Sequence, residues 1–384
     1  MSLFRRLFHR RRDASNGRQG TSMRGAHSDE STAQVQFQIE KCQIPIVWLD
    51  TSILLNLAKL KLGILKDKVQ EDRLTRLRQY VCDFTRKGKP LCPKASQADE
   101  VWVQRAHFLD ALHELSLDVT MRPKAAIEEA QIHRLMTAYI AKTPLVTFPY
   151  KDAFIDDPLP RFAQTLMGDY VVTVDGGLLG TIKRVQSQRD TIHLEWENLR
   201  KTCIEQGTTF EEQLQRERVG GINTTISMAR DCVLKLESGE VPTENEGWAL
   251  SGIGRLGNAW NRLGGEPKGV EGLTMFLNSP YYQVLPSSDV SSNIIAHLMV
   301  GDRKIAHGDA MDTEHISSVL PYADLMILDR SMRSIVRGLG LDKKYGTTVC
   351  YVGDDEEITS FFEAVGRSPV SVFTFSAVPQ RRRV

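Results

Sequence analysis

Two short apolar segments, far apart in the chain, each end in an aspartate and lead directly into a helix-like pattern. The first, IPIVWLD, covers residues 44–50, and the second, DLMILD, covers residues 324–329. Both are rich in residues that favour strands, whereas the segments that follow, TSILLNLAKLKLGI and RSMRSIVRGL, have apolar residues at helical spacing. Buried strands that lead into helices indicate a parallel sheet with helices on its faces.

The same alternation continues around both segments. Around the first, the sequence predicts a β-α-α-β-α order, in which a helix at 72–88, a strand at 90–93 and a helix at 96–115 come last. Around the second, it predicts helices at 287–301, 312–323 and 356–365 and a last strand at 347–352. The fold class predicted from these patterns is therefore α/β.

The middle of the chain differs because helical patterns dominate it. A strand pair joined by an Asp-Gly-Gly turn is expected at 169–185, and the glycine-rich segment at 252–272 is interpreted as a loop because it lacks a phosphate-binding glycine motif. We predict five regions: a disordered basic tail at 1–34, the first half of an α/β domain at 44–120, a mostly helical insertion at 121–285, the second half of the domain at 286–366, and a tail at 367–384.

Composition excludes several classes of protein. The net charge of the 384-residue chain is only +1, so no global electric field indicates a nucleic-acid partner, although the segments FRRLFHRRR and QRRRV are basic. No apolar run approaches the roughly 18 residues that span a bilayer, so no membrane partner is expected. The six cysteines are scattered without a C-x-x-C pair, which argues against a disulfide framework or a zinc site and favours the cytoplasm.

Four carboxylates from distant parts of the chain are predicted to meet at one edge of the sheet. Asp50 and Asp329 end apolar strands, and Glu100 and Asp312 lie near the starts of helices, which face the same edge in open parallel sheets. Clustered carboxylates repel one another unless positive charge compensates them. Mg²⁺ and Mn²⁺ prefer oxygen ligands and can activate water for attack on phosphate, so the cluster indicates metal-dependent phosphodiester cleavage.

Each of these residues also has a simpler structural interpretation. Asp50 and Asp312 can cap the helices that follow them, and Glu100 can favour the positive end of its helix. Asp324 is interpreted as capping a turn before its strand. His315, one helical step from Asp312, can orient a carboxylate or a water, or can only pack in the core.

Four segments of the chain together resemble the PIN-like nuclease domain. They are VWLDTSILLNLAK at 47–59, an acid in LCPKASQADEVWVQ, the aspartate and histidine at 312 and 315, and YADLMILDRSM at 322–332. Glu100 matches the second acid of the family best, and Asp99 competes with it. The chain departs from short members of the family in two ways: some two hundred residues separate the second and third acids, and Leu328 replaces a common hydroxyl residue before the last acid.

The resemblance implies a parallel sheet between layers of helices and a Mg²⁺ or Mn²⁺ site formed by Asp50, Glu100, Asp312 and Asp329, with Asp309 as an additional or alternative ligand. It implies nuclease activity, most often on RNA. The residues expected to touch the substrate are Thr51, Ser52, His315, Arg330 and Arg333, and the basic segment at 183–189 is a further candidate. The alternatives are a DNA, flap or defence nuclease and a non-catalytic scaffold that binds RNA or protein. A regulatory protein or self-association is expected to restrain the enzyme.

Overall fold

A computed structural model describes residues 35–95, 115–117, 119–166 and 179–369. The protein is mixed α/β and mostly helical, with small parallel sheets. The described strands are β1 (Gln36–Glu40), β2 (Val47–Leu49), β3 (Leu145–Pro149), β4 (Leu325–Leu328) and β5 (Thr348–Tyr351). Outside the described residues lie the predicted tail at 1–34, residues 96–114 of the predicted helix at 96–115, with Asp99 and Glu100, and residues 370–384.

The helices alternate with these strands at both ends of the described chain and dominate its middle. The first seven are α1 (Thr51–Lys61), α2 (Lys68–Arg86), α3 (Lys124–Ile140), α4 (Pro158–Leu166), α5 (Leu179–Glu205), α6 (Phe210–Ser238) and α7 (Glu244–Arg262). The next seven are α8 (Val270–Leu277), α9 (Pro280–Gln283), α10 (Pro286–Val300), α11 (Asp309–Val319), α12 (Arg330–Gly338), α13 (Leu341–Tyr345) and α14 (Asp355–Arg367). A 3₁₀ turn covers Tyr150–Ala153. Among the described residues, no helix combines the length and apolar character needed to cross a membrane.

The described residues form two compact units. The first unit contains residues 35–38, Ile132–Val146 and Gln215–Leu285, and the second contains the remaining described residues. The predicted insertion at 121–285 is divided between the two units, since Thr147–Leu214 belongs to the second.

The first unit is built around aromatic side chains. The Tyr139 ring lies 5.8 Å from the Trp260 ring and 5.6 Å from the Phe276 ring. The Trp260 indole donates a 2.9 Å hydrogen bond to the carbonyl of Pro267, and a Cβ at Gly272 would lie 1.9 Å from that carbonyl oxygen. Glycine is therefore required at residue 272 by a close approach of the backbone.

Two predictions for the middle of the chain are wrong. Most of the glycine-rich segment at 252–272 is helical, because Thr243 and Glu246 form a capping box for α7 and Gly252 and Gly257 occupy its buried face. In the predicted strand pair, residues 179–185 are the start of α5, where the apolar residues recur every three positions. The first strand of that pair lies outside the described residues.

The second unit contains the predicted parallel sheet. β2 pairs with β4 in parallel and β4 pairs with β5 in parallel, with Leu49 opposite Ile327. Parallel bridges extend the sheet beyond β2, from Ile46 to Leu91 and from Lys94 to Thr120. If the segments at 91–94 and 119–121 are counted as strands two and three, the order is 3-2-1-4-5. This is a doubly wound order with its switch point between β2 and β4.

Helices cover both faces of this sheet. Val47, Leu49, Leu325 and Ile327 pack in one cluster with buried residues of α1, α2 and α14. Trp48 points to the opposite face, because side chains alternate along a strand, and its ring lies 6.0 Å from that of His315 in α11. The strand at 44–50, the helix after it and the strand at 324–329 are therefore confirmed, and the strand at 90–93 is reduced to the bridge at Leu91.

A partly buried polar contact at the amino end of the sheet joins the two halves of the domain. Asp324 accepts a 2.8 Å hydrogen bond from the backbone N–H of Ile46, and Lys41 donates to the carbonyl of Ala323 at 2.6 Å. Burial raises the pKa of Asp324, while the hydrogen bond from Ile46 opposes that shift. Asp324 thus secures the start of two neighbouring strands, which supports its structural interpretation.

Replacing Asp324 tests this contact. Asp324→Ala leaves the N–H of Ile46 without its acceptor, and we expect a loss of about 1–3 kcal/mol in the free energy of unfolding, measured by urea denaturation. Asp324→Asn keeps an acceptor oxygen and removes a buried charge, so its loss is expected to be smaller. Equal losses in both variants would mean that the charge beside Lys41, rather than the hydrogen bond, provides the stabilisation.

Candidate metal centre

Asp50 lies at the carboxyl end of β2, where the strand gives way to α1. Its backbone is extended, with φ −61° and ψ 155°, and its Oδ2 accepts hydrogen bonds from the Ser52 hydroxyl at 2.7 Å and from the Ser52 N–H at 3.4 Å. The residue is only 5% exposed. Asp50 is therefore a helix cap, as the simpler interpretation predicts, and it is also a buried carboxylate held by a serine at the switch point of the sheet.

Asp312 and His315 lie on α11, three residues apart. Residues at this spacing occupy the same face of a helix, so both side chains point in one direction. His315 is fully buried against Trp48, whereas Asp312 is half-buried near the start of the helix. The sequence therefore places an acid and an imidazole on one face of α11.

Asp50, Asp312 and His315 come together in the folded chain. Each offers one ligand atom, and these three atoms lie within 4.8 Å of one another. A divalent cation binds oxygen and nitrogen ligands at about 2.0 to 2.4 Å, so two ligands of one ion are separated by roughly 4.8 Å or less. Two carboxylates and an imidazole at this separation fit the ligand set of a single divalent cation.

Asp329 lies one strand away, at the carboxyl end of β4. The N–H of Asp50 donates to the carbonyl of Ile327 at 3.0 Å, which places the ends of the two strands side by side. Asp329 Oδ1 accepts hydrogen bonds from the N–H groups of Ser331 at 2.7 Å and Met332 at 3.2 Å, so it caps α12. Asp329 shares the sheet edge with Asp50 but does not belong to the group of three.

Asp309 is engaged elsewhere. Its Oδ1 accepts a 2.7 Å hydrogen bond from Arg303, and its Oδ2 accepts one of 2.6 Å from the N–H of Ala306. The residue is 3% exposed, so the guanidinium compensates a buried charge. This geometry favours a structural role for Asp309 over the expected role as an additional ligand.

The residues expected to touch the substrate occupy different environments. Thr51 is buried at the first position of α1, and the Ser52 hydroxyl is committed to Asp50. Arg330 is exposed, whereas Arg333 pairs with Asp354 at 2.9 Å. His315 belongs to the group of three with Asp50 and Asp312, and it is also fully buried against Trp48, as its core-packing interpretation predicts.

A second group of ligand-type residues contains Cys350, Asp354 and Glu357. Arginines compensate both of its acids, since Arg333 pairs with Asp354 and Arg337 pairs with Glu357. The arginine lowers the pKa of Glu357, and burial raises the pKa of the Cys350 thiol to about 12. This group is an ion-pair network with a protonated thiol, and its chemistry does not suit a metal.

Sequence reasoning missed two buried lysines, one in the second strand of the extended sheet and one just after its third strand. Lys94 bridges to Thr120, and Lys124 begins α3 just after that third strand; they are 8% and 5% exposed. The lysines were not predicted because the strand at 119–121 was not predicted. Val119 and Met121 alternate with a polar residue before a proline at a helix start, and this pattern indicates such a strand.

Metal-dependent stabilisation tests the group of three. We expect Mn²⁺ to raise the melting temperature of the protein, with a stabilisation of about 2.7 kcal/mol at a concentration 100-fold above the Kd. Asp312→Asn removes a ligand and a repulsive charge, so this variant should remain folded and lose the Mn²⁺ effect. Differential scanning fluorimetry with Mn²⁺ or EDTA measures both quantities.

Asp309→Asn is the matched control on the same helix. Because it breaks the pair with Arg303, we expect it to lower the melting temperature without metal and to keep the Mn²⁺ shift. If Mn²⁺ stabilised Asp312→Asn as much as the unchanged protein, the group of three would not be the metal site.

No family model, curated protein or solved structure matches this chain. The interpretation of the group of three therefore depends on the geometry and chemistry of these residues themselves.

Proposed function

We propose that this protein is a metal-dependent nuclease of the PIN-like type, acting as an endoribonuclease in the cytoplasm. The observation that carries the proposal is the approach of Asp50, Asp312 and His315 to within 4.8 Å. The position of these residues supports the proposal, because bound molecules in doubly wound sheets lie at the carboxyl ends of the strands, at the switch point. The 3-2-1-4-5 parallel order agrees with the parallel sheet that the PIN-like resemblance implies.

The residues of the site have separate roles in this proposal. Asp50, Asp312 and His315 hold the cation, and Ser52 fixes the orientation of the Asp50 carboxylate. Trp48 packs against the imidazole and keeps water from that side of it. When bound, a divalent cation lowers the pKa of a water molecule and neutralises charge that develops on phosphate oxygens. Asp329 adds negative charge at the neighbouring strand end, and Glu100 stays a proposed fourth acid.

RNA is the proposed substrate, and two alternatives are distinguished by experiment. A carboxylate site does not itself read the 2′-hydroxyl, so a DNA, flap or defence nuclease would use the same ligands. A scaffold that binds RNA or protein would need no metal. We propose that a regulatory protein or self-association restrains the enzyme.

Cleavage assays on variants of the ligands test the proposal directly. We expect Asp50→Asn and Asp312→Asn to lower the cleavage rate by roughly 100-fold or more, because each weakens binding of the cation that stabilises the reacting phosphate. The assay uses labelled single-stranded RNA, single-stranded DNA and flap DNA with Mg²⁺, Mn²⁺ or EDTA. RNA is expected to be cleaved fastest, and EDTA is expected to stop cleavage.

Asp83→Asn, at an exposed acid of α2, is the control and should keep full activity. Circular dichroism of each variant separates loss of activity from loss of the fold. Cleavage of DNA alone would favour the defence or flap alternative. Binding of RNA without metal-dependent cleavage of any substrate would favour the scaffold.

The imidazole ligand leads to a separate prediction about the metal. Nitrogen ligands favour transition-metal ions, whereas Mg²⁺ prefers an all-oxygen environment. We expect faster cleavage with Mn²⁺ than with Mg²⁺, and we expect His315→Asn and His315→Gln to reduce that ratio, because each substitutes an amide oxygen for the ring nitrogen. Cleavage rates over a titration of each ion measure the ratio. An unchanged ratio in both folded variants would exclude His315 as a ligand.

A further inference from the structure

Two arginines at the start of α12 lie over the ring of Tyr351. The guanidinium carbons of Arg330 and Arg333 are 5.9 Å and 5.8 Å from the centroid of that ring. Cations at this distance from an aromatic face are attracted to it. The ring is itself fixed in place, because a Cβ at Gly353 would lie 2.4 Å from Tyr351 Cε2, so the glycine backbone packs directly against it.

The two arginines differ in their partners. Arg333 donates to Asp354 Oδ2 at 2.9 Å, and the same oxygen accepts a 3.0 Å hydrogen bond from the N–H of Tyr351. Arg330 is exposed, and within the described part of the chain its guanidinium makes no ion pair. Arg333 therefore supports the fold, whereas Arg330 presents an oriented guanidinium to solvent.

The position of Arg330 relates it to the group of three. Arg330 follows β4, Tyr351 ends β5 opposite Leu328, and Asp50 follows β2. All lie at the carboxyl edge of the sheet. Because neighbouring strands are separated by about 4.8 Å, the end of β5 lies roughly 10 Å from the end of β2. A short stretch of extended nucleotide backbone spans this separation.

We propose that Arg330, held in place by the ring of Tyr351, binds a backbone phosphate next to the one that is cleaved. The planar guanidinium suits this role because it contacts two oxygens of one phosphate and stacks on an aromatic face at the same time. Such a contact fixes the register of the substrate and reads no base. This inference rests on the proposed nuclease function and adds a subsite to it, with Tyr351 as a positioning residue.

The test measures binding without cleavage. Fluorescence anisotropy in EDTA follows the full chain binding labelled single-stranded RNA and DNA of one sequence over a range of salt concentrations. Arg330→Gln is expected to weaken binding roughly tenfold or more. It should also reduce the slope of log K against log salt by about 0.7, the value for one phosphate contact on a single strand.

Three further variants separate the phosphate contact from other effects. Tyr351→Phe keeps the aromatic face and should bind as the unchanged protein does. Tyr351→Leu removes that face and should weaken binding while keeping the salt slope, because the charge of Arg330 remains. Arg86→Gln, at an exposed arginine of α2, should change neither quantity.

Unchanged affinity and salt slope in Arg330→Gln would overturn the proposed subsite. A failure of the unchanged protein to bind either the single-stranded RNA or the single-stranded DNA would overturn it as well. The nuclease proposal has its own readout, the metal-dependent cleavage that Asp312→Asn abolishes. Cleavage with no dependence of binding on Arg330 would remove the subsite alone. Binding that depends on Arg330 without metal-dependent cleavage would remove the nuclease and, with it, the subsite, and would leave Arg330 as a phosphate contact of the scaffold alternative.

Discussion

The parallel pairing of β2 with β4 is the constraint on which the second unit depends. It joins segments 278 residues apart, through the contact of Asp324 with the N–H of Ile46 at one end and the hydrogen bond from Asp50 to Ile327 at the other. Loop-closure entropy opposes such a long-range pairing, and the burial of apolar side chains on both faces of the sheet offsets it. Because β2 and β4 are the strands at the switch point, the same pairing creates the edge at which Asp50 meets α11.

Acids in this unit lie in two kinds of surroundings. The buried Asp309 and the exposed Glu357 each face an arginine, so their negative charge is balanced within the protein. Asp50 and Asp312 each place one ligand atom within 4.8 Å of a ring nitrogen of His315. In the proposed enzyme, a divalent cation would be held by these three groups. Asp309 and Asp312, one helical turn apart, thus have different neighbours.

Much of the α/β framework could be predicted from periodicity, since β2, α1, β4 and α12 each have a strong local pattern. The distinction between Asp309 and Asp312 could not, because both lie in the first turn of one helix and the ion pair of Asp309 with Arg303 is set by the fold. The helix α7 was missed for the opposite reason. Its glycines suggest a loop locally, and only the packing of Trp260 and a buried helix face explains them.

The start of α12 brings together several requirements of the proposed site. Asp329 follows β4 and caps α12, so the next residue, Arg330, lies at the edge of the sheet whatever its side chain. An arginine at this position therefore places a cation at the sheet edge without changing the strand. The neighbouring β5 then supplies the aromatic ring that holds it, since Tyr351 is paired with Leu328. In the proposed enzyme, Asp50, which holds the cation, and Arg330, which holds the substrate, thus follow two neighbouring strands of one sheet.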